Sequence, residues 1–392
     1  MHTSWPTTDF MKKIKINLST LILLVLLQVS SVSFADPFKN SRQINTGNVF
    51  SFASEILKEE REIYISFPAN YSHSVHKYPV IIVLDGEYLF PLVTSIVKHQ
   101  ASRNYMPESI VVGISNNTGK RMEMAMEIFH EDGAPFFFGE NLGQPDKYLA
   151  FFKEELIPSL EKQYRINSHR TIIGMSPTFG PVLEAFWNQP DLFRGYIVLA
   201  AEIGKYLKNG ERIADKLLNS FKLKNRDKSA IYIGTSSKDV ANKGLEEAKL
   251  YSDLKVVQQN KNYENLNYKF ELLQDEDNYG MAIKGVHNGL RTIYPPELWD
   301  INYKDFWRGD EPTNALIEVY EQLTNDYGFE VVPIESAFYS VNNLVKTAEI
   351  LGRQERNSQL QKWLSMAISY YPKSPILMDM QKELHRKLAH AE

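Results

Sequence analysis

Short runs rich in β-branched and aromatic residues recur along the chain with helical stretches between them, and this alternation constrains the fold more than any other feature. Glu60 to Phe67, Tyr78 to Leu84, Ser109 to Ile114, Arg170 to Gly174, Tyr196 to Ala200, Ala230 to Gly234 and Tyr268 to Leu273 read as strands. Lys147 to Tyr164, Val182 to Asn188 and a long segment after Gly234 carry apolar residues at helical spacing. Strands alternating with helices require parallel pairing with right-handed crossovers, so the expected class is α/β, a mostly parallel central sheet with helices on both faces. At 392 residues and 43% apolar content the chain has material for one large core and a smaller appended unit.

The ends differ from this pattern. Met11-Lys12-Lys13-Ile14-Lys15, the apolar run Leu18 to Val29 and the small residues of Ser33-Phe34-Ala35 have the form of an export leader over residues 1–35, with cleavage expected after Ala35. The run is short against the roughly 20 residues a membrane span needs, although a retained anchor is the competing reading. Met1 to Phe10 lack leader character, which makes Met11 a candidate start. The mature chain is expected in the periplasm or outside the cell. Residues 36–296 form the α/β unit. Beyond Pro295-Pro296, Asn314 to Tyr327, Ile334 to Leu351 and Asn357 to Tyr371 read as amphipathic helices, with a fourth helix after Ser374-Pro375. The last of them resemble a single tetratricopeptide-like hairpin. One such hairpin cannot bury its own face, so the extension 297–392 is expected to pack on the α/β unit.

Composition excludes several chemistries. With a net charge of −4 the chain lacks the basic footprint of nucleic-acid binding. It has no cysteine, which rules out disulfides, thiolate metal sites and a thiol nucleophile. The run Asp275-Glu276-Asp277 has no metal-ligand spacing with histidine, so neither metal nor cofactor is expected. Ser115 to Pro145 is long for a connection and carries Phe136-Phe137-Phe138; a mobile lid and a loop tucked onto the core are both open readings.

Ser176 stands just past the end of the strand Arg170 to Gly174, two residues after a glycine. In α/β-hydrolases this is the place of the nucleophile, lifted above the sheet by a sharp strand-to-helix turn. Around it the chain resembles the putative-esterase family, which includes enterochelin-esterase-like and S-formylglutathione-hydrolase-like enzymes, and within it the IroE-like members. The resemblance rests on Tyr78 to Glu87, on Glu155 to Glu161 with Tyr164-Arg165, on Arg170 to Gly174, on Pro190 to Tyr196 and on Asn288-Gly289-Leu290-Arg291, in the family's order. It covers about Glu60 to Tyr294 and implies an α/β-hydrolase fold and carboxylic-ester hydrolysis by Ser176, with a small-molecule ester as ligand. Such a serine attacks the carbonyl as a histidine takes its proton, and two backbone N–H groups hold the oxyanion.

The same resemblance exposes departures at each working position. It places the oxyanion donors at the amides of Glu87 and of the residue after Ser176, which is Pro177 and has no N–H. Loss of one such donor costs about 100- to 1,000-fold in rate. Where the family reads Gly-His-Ser-Xaa-Gly-Gly, this chain has Gly174-Met175-Ser176-Pro177-Thr178-Phe179-Gly180-Pro181. Thr178 and Phe179 are expected to push strand and helix apart or to fill the pocket, and Pro181 to move the helix start toward itself. The family's histidine position is Asn278, which cannot accept a proton at neutral pH.

Substitute bases are few. His169 enters the strand at its far end, about 17 Å from the serine at roughly 3.3 Å per residue, and His73 and His76 precede another parallel strand. His130 and His287 remain as candidates, each with an ordinary surface or packing role as the alternative. Asp239 follows a strand end where hydrolases keep the acid, and reads equally as a helix cap. Three functions stay open: a serine esterase with altered machinery, a catalytically inactive pseudo-hydrolase that binds a small ligand or protein partner, and an interaction protein working through its C-terminal helices.

Overall fold

Eight strands form one sheet: β1 (Asn48–Ser54), β2 (Glu59–Ser66), β3 (Tyr78–Val83), β4 (Ile110–Ile114), β5 (Ile166–Met175), β6 (Gly195–Leu199), β7 (Ser229–Ser236) and β8 (Leu266–Leu273). The structure is a computed structural model that describes residues 44–117, 120–138, 142–222, 227–260, 263–338 and 340–390. The expected leader, residues 1–35, lies outside them. The spatial order is β1-β2-β4-β3-β5-β6-β7-β8. β1 and β2 are antiparallel to their neighbours, and every pair from β4 to β8 is parallel. β1 escaped the sequence reading because it is an edge strand with most of its residues exposed, so no apolar alternation marks it.

The chain leaves β3 toward β4 on one side and returns to β5 on the other. That reversal opens a crevice at the carboxyl ends of β3 and β5, the place where ligands bind in open α/β sheets. β3 and β6 are buried along their whole length, as strands covered on both faces must be. Their alternate residues enter two cores. Val80 and Ile82 join Phe179, Val182 and Phe186 on one face, while Ile81 and Val83 join Ile173 and Ile197 on the other.

Helix α1 (Gly86–Ser102) follows β3. The helix expected over Lys147 to Tyr164 is α2 (Pro145–Ala150), a π-helical turn (Phe151–Leu156) and α3 (Ile157–Gln163) in direct succession. Then come α4 (Phe179–Asn188), α5 (Ile213–Ser220), α6 (Ser237–Lys243), α7 (Leu245–Asn260) and α8 (Ala282–Ile293). Phe136 and Phe137 pack on the core while Phe138 is 79% exposed, so the Phe triplet is tucked at one end and free at the other.

After α9 (Pro296–Trp299) and α10 (Tyr303–Arg308), the C-terminal helices are α11 (Pro312–Tyr327), α12 (Leu344–Arg353), α13 (Asn357–Tyr370) and α14 (Pro375–Ala389). The helix read from Ile334 begins only at Leu344. Asn343 is its cap, accepting from Lys346 N at 2.8 Å, and the residues before it form an irregular segment. Leu316, Leu344, Trp363, Leu364 and Leu377 share one buried cluster with α1, α8 and the sheet. Among the described residues, no helix is long and apolar enough to cross a membrane.

Candidate active site

β5 and β6 pair as far as Met175 and Leu199, and Ser176 N extends the ladder to Leu199 O at 3.2 Å. The chain then folds back sharply. A Cβ on Gly174 would lie 2.3 Å from Thr178 O and 2.7 Å from Val182 Cγ2, so only glycine permits this return. The Ser176–Pro177 bond is cis. α4 begins at Phe179, which makes Pro181 its third residue, where a backbone N–H has no intrahelical acceptor to lose. The helix start near Pro181 is therefore as expected.

Thr178 and Phe179 do not push strand and helix apart. Phe179 enters the core, and Thr178 fastens the turn: its Oγ1 accepts from Met175 N at 3.0 Å and lies 2.7 Å from Asp85 Oδ2, to which it donates. The acceptor, Asp85, is the buried residue between β3 and α1, held in left-handed conformation (φ 56°, ψ 47°). Its carboxylate also receives Arg121 Nε at 2.7 Å and Asn116 Nδ2 at 2.5 Å. Arg121 Nη2 reaches onward to Ser176 O at 2.6 Å. Burial alone would lower the pKa of Arg121, but the Asp85 carboxylate and the Tyr279 hydroxyl outweigh it and raise it. The guanidinium thus ties β3, the turn and the segment after β8 into one charged network around half-buried Ser176.

Glu87 sits in the first turn of α1, where amides have no intrahelical partner. Its carboxylate accepts from Asn116 N at 2.8 Å and from Ser115 Oγ, which ties the start of α1 to the segment after β4. Pro177 offers no second donor. Asn278 lies half-buried in the turn after β8, which Asp277 Oδ1 closes by accepting from Tyr279 N at 3.1 Å and Gly280 N at 2.7 Å. This turn does reach the site, through Tyr279, whose ring also meets that of Tyr88 at 6.2 Å.

The other candidates are engaged elsewhere. His287 Nδ1 bonds Gln100 Nε2 at 3.1 Å. Gln100 is fifteen residues along α1 from Asp85, about 22 Å at 1.5 Å per residue. Burial, then Arg291 and His99, lowers the pKa of His287. His130 lies 3.5 Å from Lys205 Nζ, at the rim of a separate cavity of about 570 Å³ lined also by Tyr206, Arg212 and Glu247. Asp239 is a first-turn residue of α6 whose Oδ2 accepts from Ser236 Oγ at 2.6 Å, while Ser236, the helix cap, accepts from the Asp239 N–H. Among the described residues, no hydrogen bond joins Ser176 Oγ to an imidazole, and no group of three or more His, Asp or Glu could hold a metal. Sequence reading missed Asp85, Asn116, Arg121 and Tyr279; Asp85-Gly86 after an apolar strand was the one visible signal.

A mostly parallel sheet with helices on both faces and a serine at the turn after its fifth strand defines an α/β-hydrolase-fold protein. The sequence profile of the family described as "Putative esterase" matches residues 54–288, more than half of the chain, and the chain belongs to that family. It is 30% identical over 139 residues to the ferri-bacillibactin esterase BesA of Bacillus subtilis, a match covering 31% of this chain and 46% of that protein, so it spans less than half of the relative. Among solved structures it is similar to an IroE-like serine hydrolase from Shewanella oneidensis (20% identity, 82% of this chain and 98% of that one, TM-score 0.64). It is also similar to an uncharacterised protein from Capnocytophaga ochracea (19% identity, 87% and 89%, TM-score 0.57). At these identities the likeness is one of fold.

Proposed function

We propose that the protein is an exported member of the esterase family that binds an ester-bearing small molecule at the Ser176 turn without efficient hydrolysis. One observation carries this reading: among the described residues Ser176 Oγ has no imidazole partner, and the family's base position is Asn278, which cannot take a proton. Pro177 in place of an oxyanion donor acts in the same direction. The name of the Bacillus relative makes ferric siderophore esters the first ligands to try.

A fluorophosphonate probe on purified mature protein tests it. No labelling above the Ser176→Ala background, together with saturable binding of an intact ester, is the expected outcome. Rapid labelling and ester turnover that Ser176→Ala abolishes would overturn it. The second reading, a slow serine hydrolase, is favoured by half-exposed Ser176 on a turn that still has hydrolase form, with the Arg121 guanidinium 2.6 Å from its carbonyl. Export rests on residues 1–35, and N-terminal sequencing of the mature protein should begin at Asp36. Work through the C-terminal helices gains least support, since Leu344, Trp363, Leu364 and Leu377 are spent inside the core.

A further inference from the structure

At the end of the sheet opposite Ser176, the irregular segment 329–337 straps across the entry to β4. Phe329, Val331 and Ile334 are buried, and the strap is tied down by Leu344 N to Ile334 O and Val345 N to Glu335 O, both 3.0 Å, and by Asn70 Nδ2 to Ser336 O at 3.2 Å. Under it lie two carboxyl groups. Glu335 is fully buried; His73 Nδ1 meets its Oε2 at 2.7 Å, and its Oε1 is buried with no hydrogen-bond partner. Glu108 is half-buried as a residue, yet its Oε2 is sealed from solvent without a close hydrogen-bond partner, while its Oε1 receives Asn70 Nδ2 at a long 3.4 Å.

Two sealed carboxylate oxygens without donors cannot both stay ionised cheaply. Asn70, through its backbone and side-chain N–H groups, and the Tyr371 hydroxyl favour the Glu108 carboxylate, but burial and the charge of Glu335 outweigh them. The Tyr371 hydroxyl, beside Glu108, also donates to Pro333 O of the strap at 3.0 Å. Tyr78 shares a hydrogen bond of 2.6 Å with Ser74. Lys98 on α1 lines the neighbouring cavity, His76, Lys77 and Glu330 border Glu108 on the other side, and Arg165 is held by His76 O, Tyr71 O and Ser74. A proton on Glu108 removes the like-charge repulsion with Glu335.

We propose that Glu108 and Glu335 form a proton-dependent latch that holds the strap 329–337 shut when Glu108 is protonated and loosens it when both carboxyls ionise. The strap forms one wall of an apolar cavity of about 490 Å³ lined by Val97, Ala101, Ile334 and Ala337, so loosening it reshapes that wall. Burial and then the charge of Glu335 push Glu108 up to about 7, which fits a latch working near neutrality. Raised above its unfolded value, Glu108 contributes stability that is complete below about pH 4.5 and lost as pH rises through about 7.

Hydrogen exchange of peptides covering 329–337, on the full chain and normalised to intrinsic rates, tests the latch. Protection should fall by about tenfold or more between pH 5 and pH 8 in the wild type and stay level in Glu108→Gln, which keeps the shape and cannot ionise. An unchanged wild-type profile, or an equal fall in Glu108→Gln, would overturn it. Should the variant fold poorly, infrared spectroscopy of the wild type serves instead: a protonated-carboxyl band at pH 6 that disappears by pH 8 supports the latch, and its absence at pH 6 refutes it.

Discussion

At the scale of single residues, the turn is held by Thr178 as much as by Gly174. Thr178→Val keeps the volume but strands Met175 N and removes a donor from buried Asp85, and should cost about 1–3 kcal/mol in denaturant unfolding. Gly174→Ala places a methyl group against Thr178 O, a backbone atom that cannot step aside, and should cost at least as much. Ser176→Ala removes the hydroxyl of a half-buried residue that has no side-chain hydrogen bond among the described residues, so its melting temperature should match the wild type. These residues show how much of the site was legible. Ser176, Pro177 and Asn278 could be placed from order along the chain, because a strand followed by a glycine and a helix fixes where the turn falls. Arg121 could not, since nothing local marks an arginine in a long connection as the partner of an aspartate thirty-six positions earlier.

At the scale of elements, strands with both faces covered were readable as apolar runs, and exposed β1 was not. The C-terminal helices depend on their caps. Ser374, fully buried, caps α14 by accepting from Leu377 N at 3.2 Å, and Asn343 caps α12. Either residue changed to alanine should cost about 1 kcal/mol by thermal or denaturant unfolding. The stretch from Ile334 to Asn343 carries the helical spacing that runs on into α12. Tertiary contacts overrode that spacing: Ile334 and Glu335 give their carbonyls to Leu344 and Val345 rather than to a continuing turn.

At the scale of the whole molecule, the helices after Pro296 close one face of the sheet's core. A chain ending near Asp310 would expose that face and should aggregate on expression, which dye binding to apolar surface and sedimentation would detect. Stability should also be bounded on both sides in pH. Burial, then Arg194 and Arg170, lowers His169 to about 3, and burial with Arg165 lowers His76 to about 4. Both are depressed, so their contribution is present above about pH 6.5 and lost as pH falls through those values. Glu108 runs the other way, its contribution lost as pH rises through about 7. The melting temperature should therefore peak between about pH 5 and 7, with Glu108→Gln flattening the alkaline side and His169→Phe the acid side.

The sequence by itself determined the α/β class, the strand order along the chain, the serine's turn and the identity of the residues standing where a base and a donor would be needed. These follow from local periodicity and from what a side chain can or cannot donate. Only the tertiary structure decided that His287 and His130 are bound to Gln100 and Lys205, that Asp239 is held by the cap Ser236, that Arg121 clamps Asp85 to the Ser176 carbonyl, and that Glu108 and Glu335 each bury a carboxylate oxygen without a partner. The physical reason is that these facts depend on distances between groups far apart in sequence, which the packing of the two cores sets and no local pattern encodes.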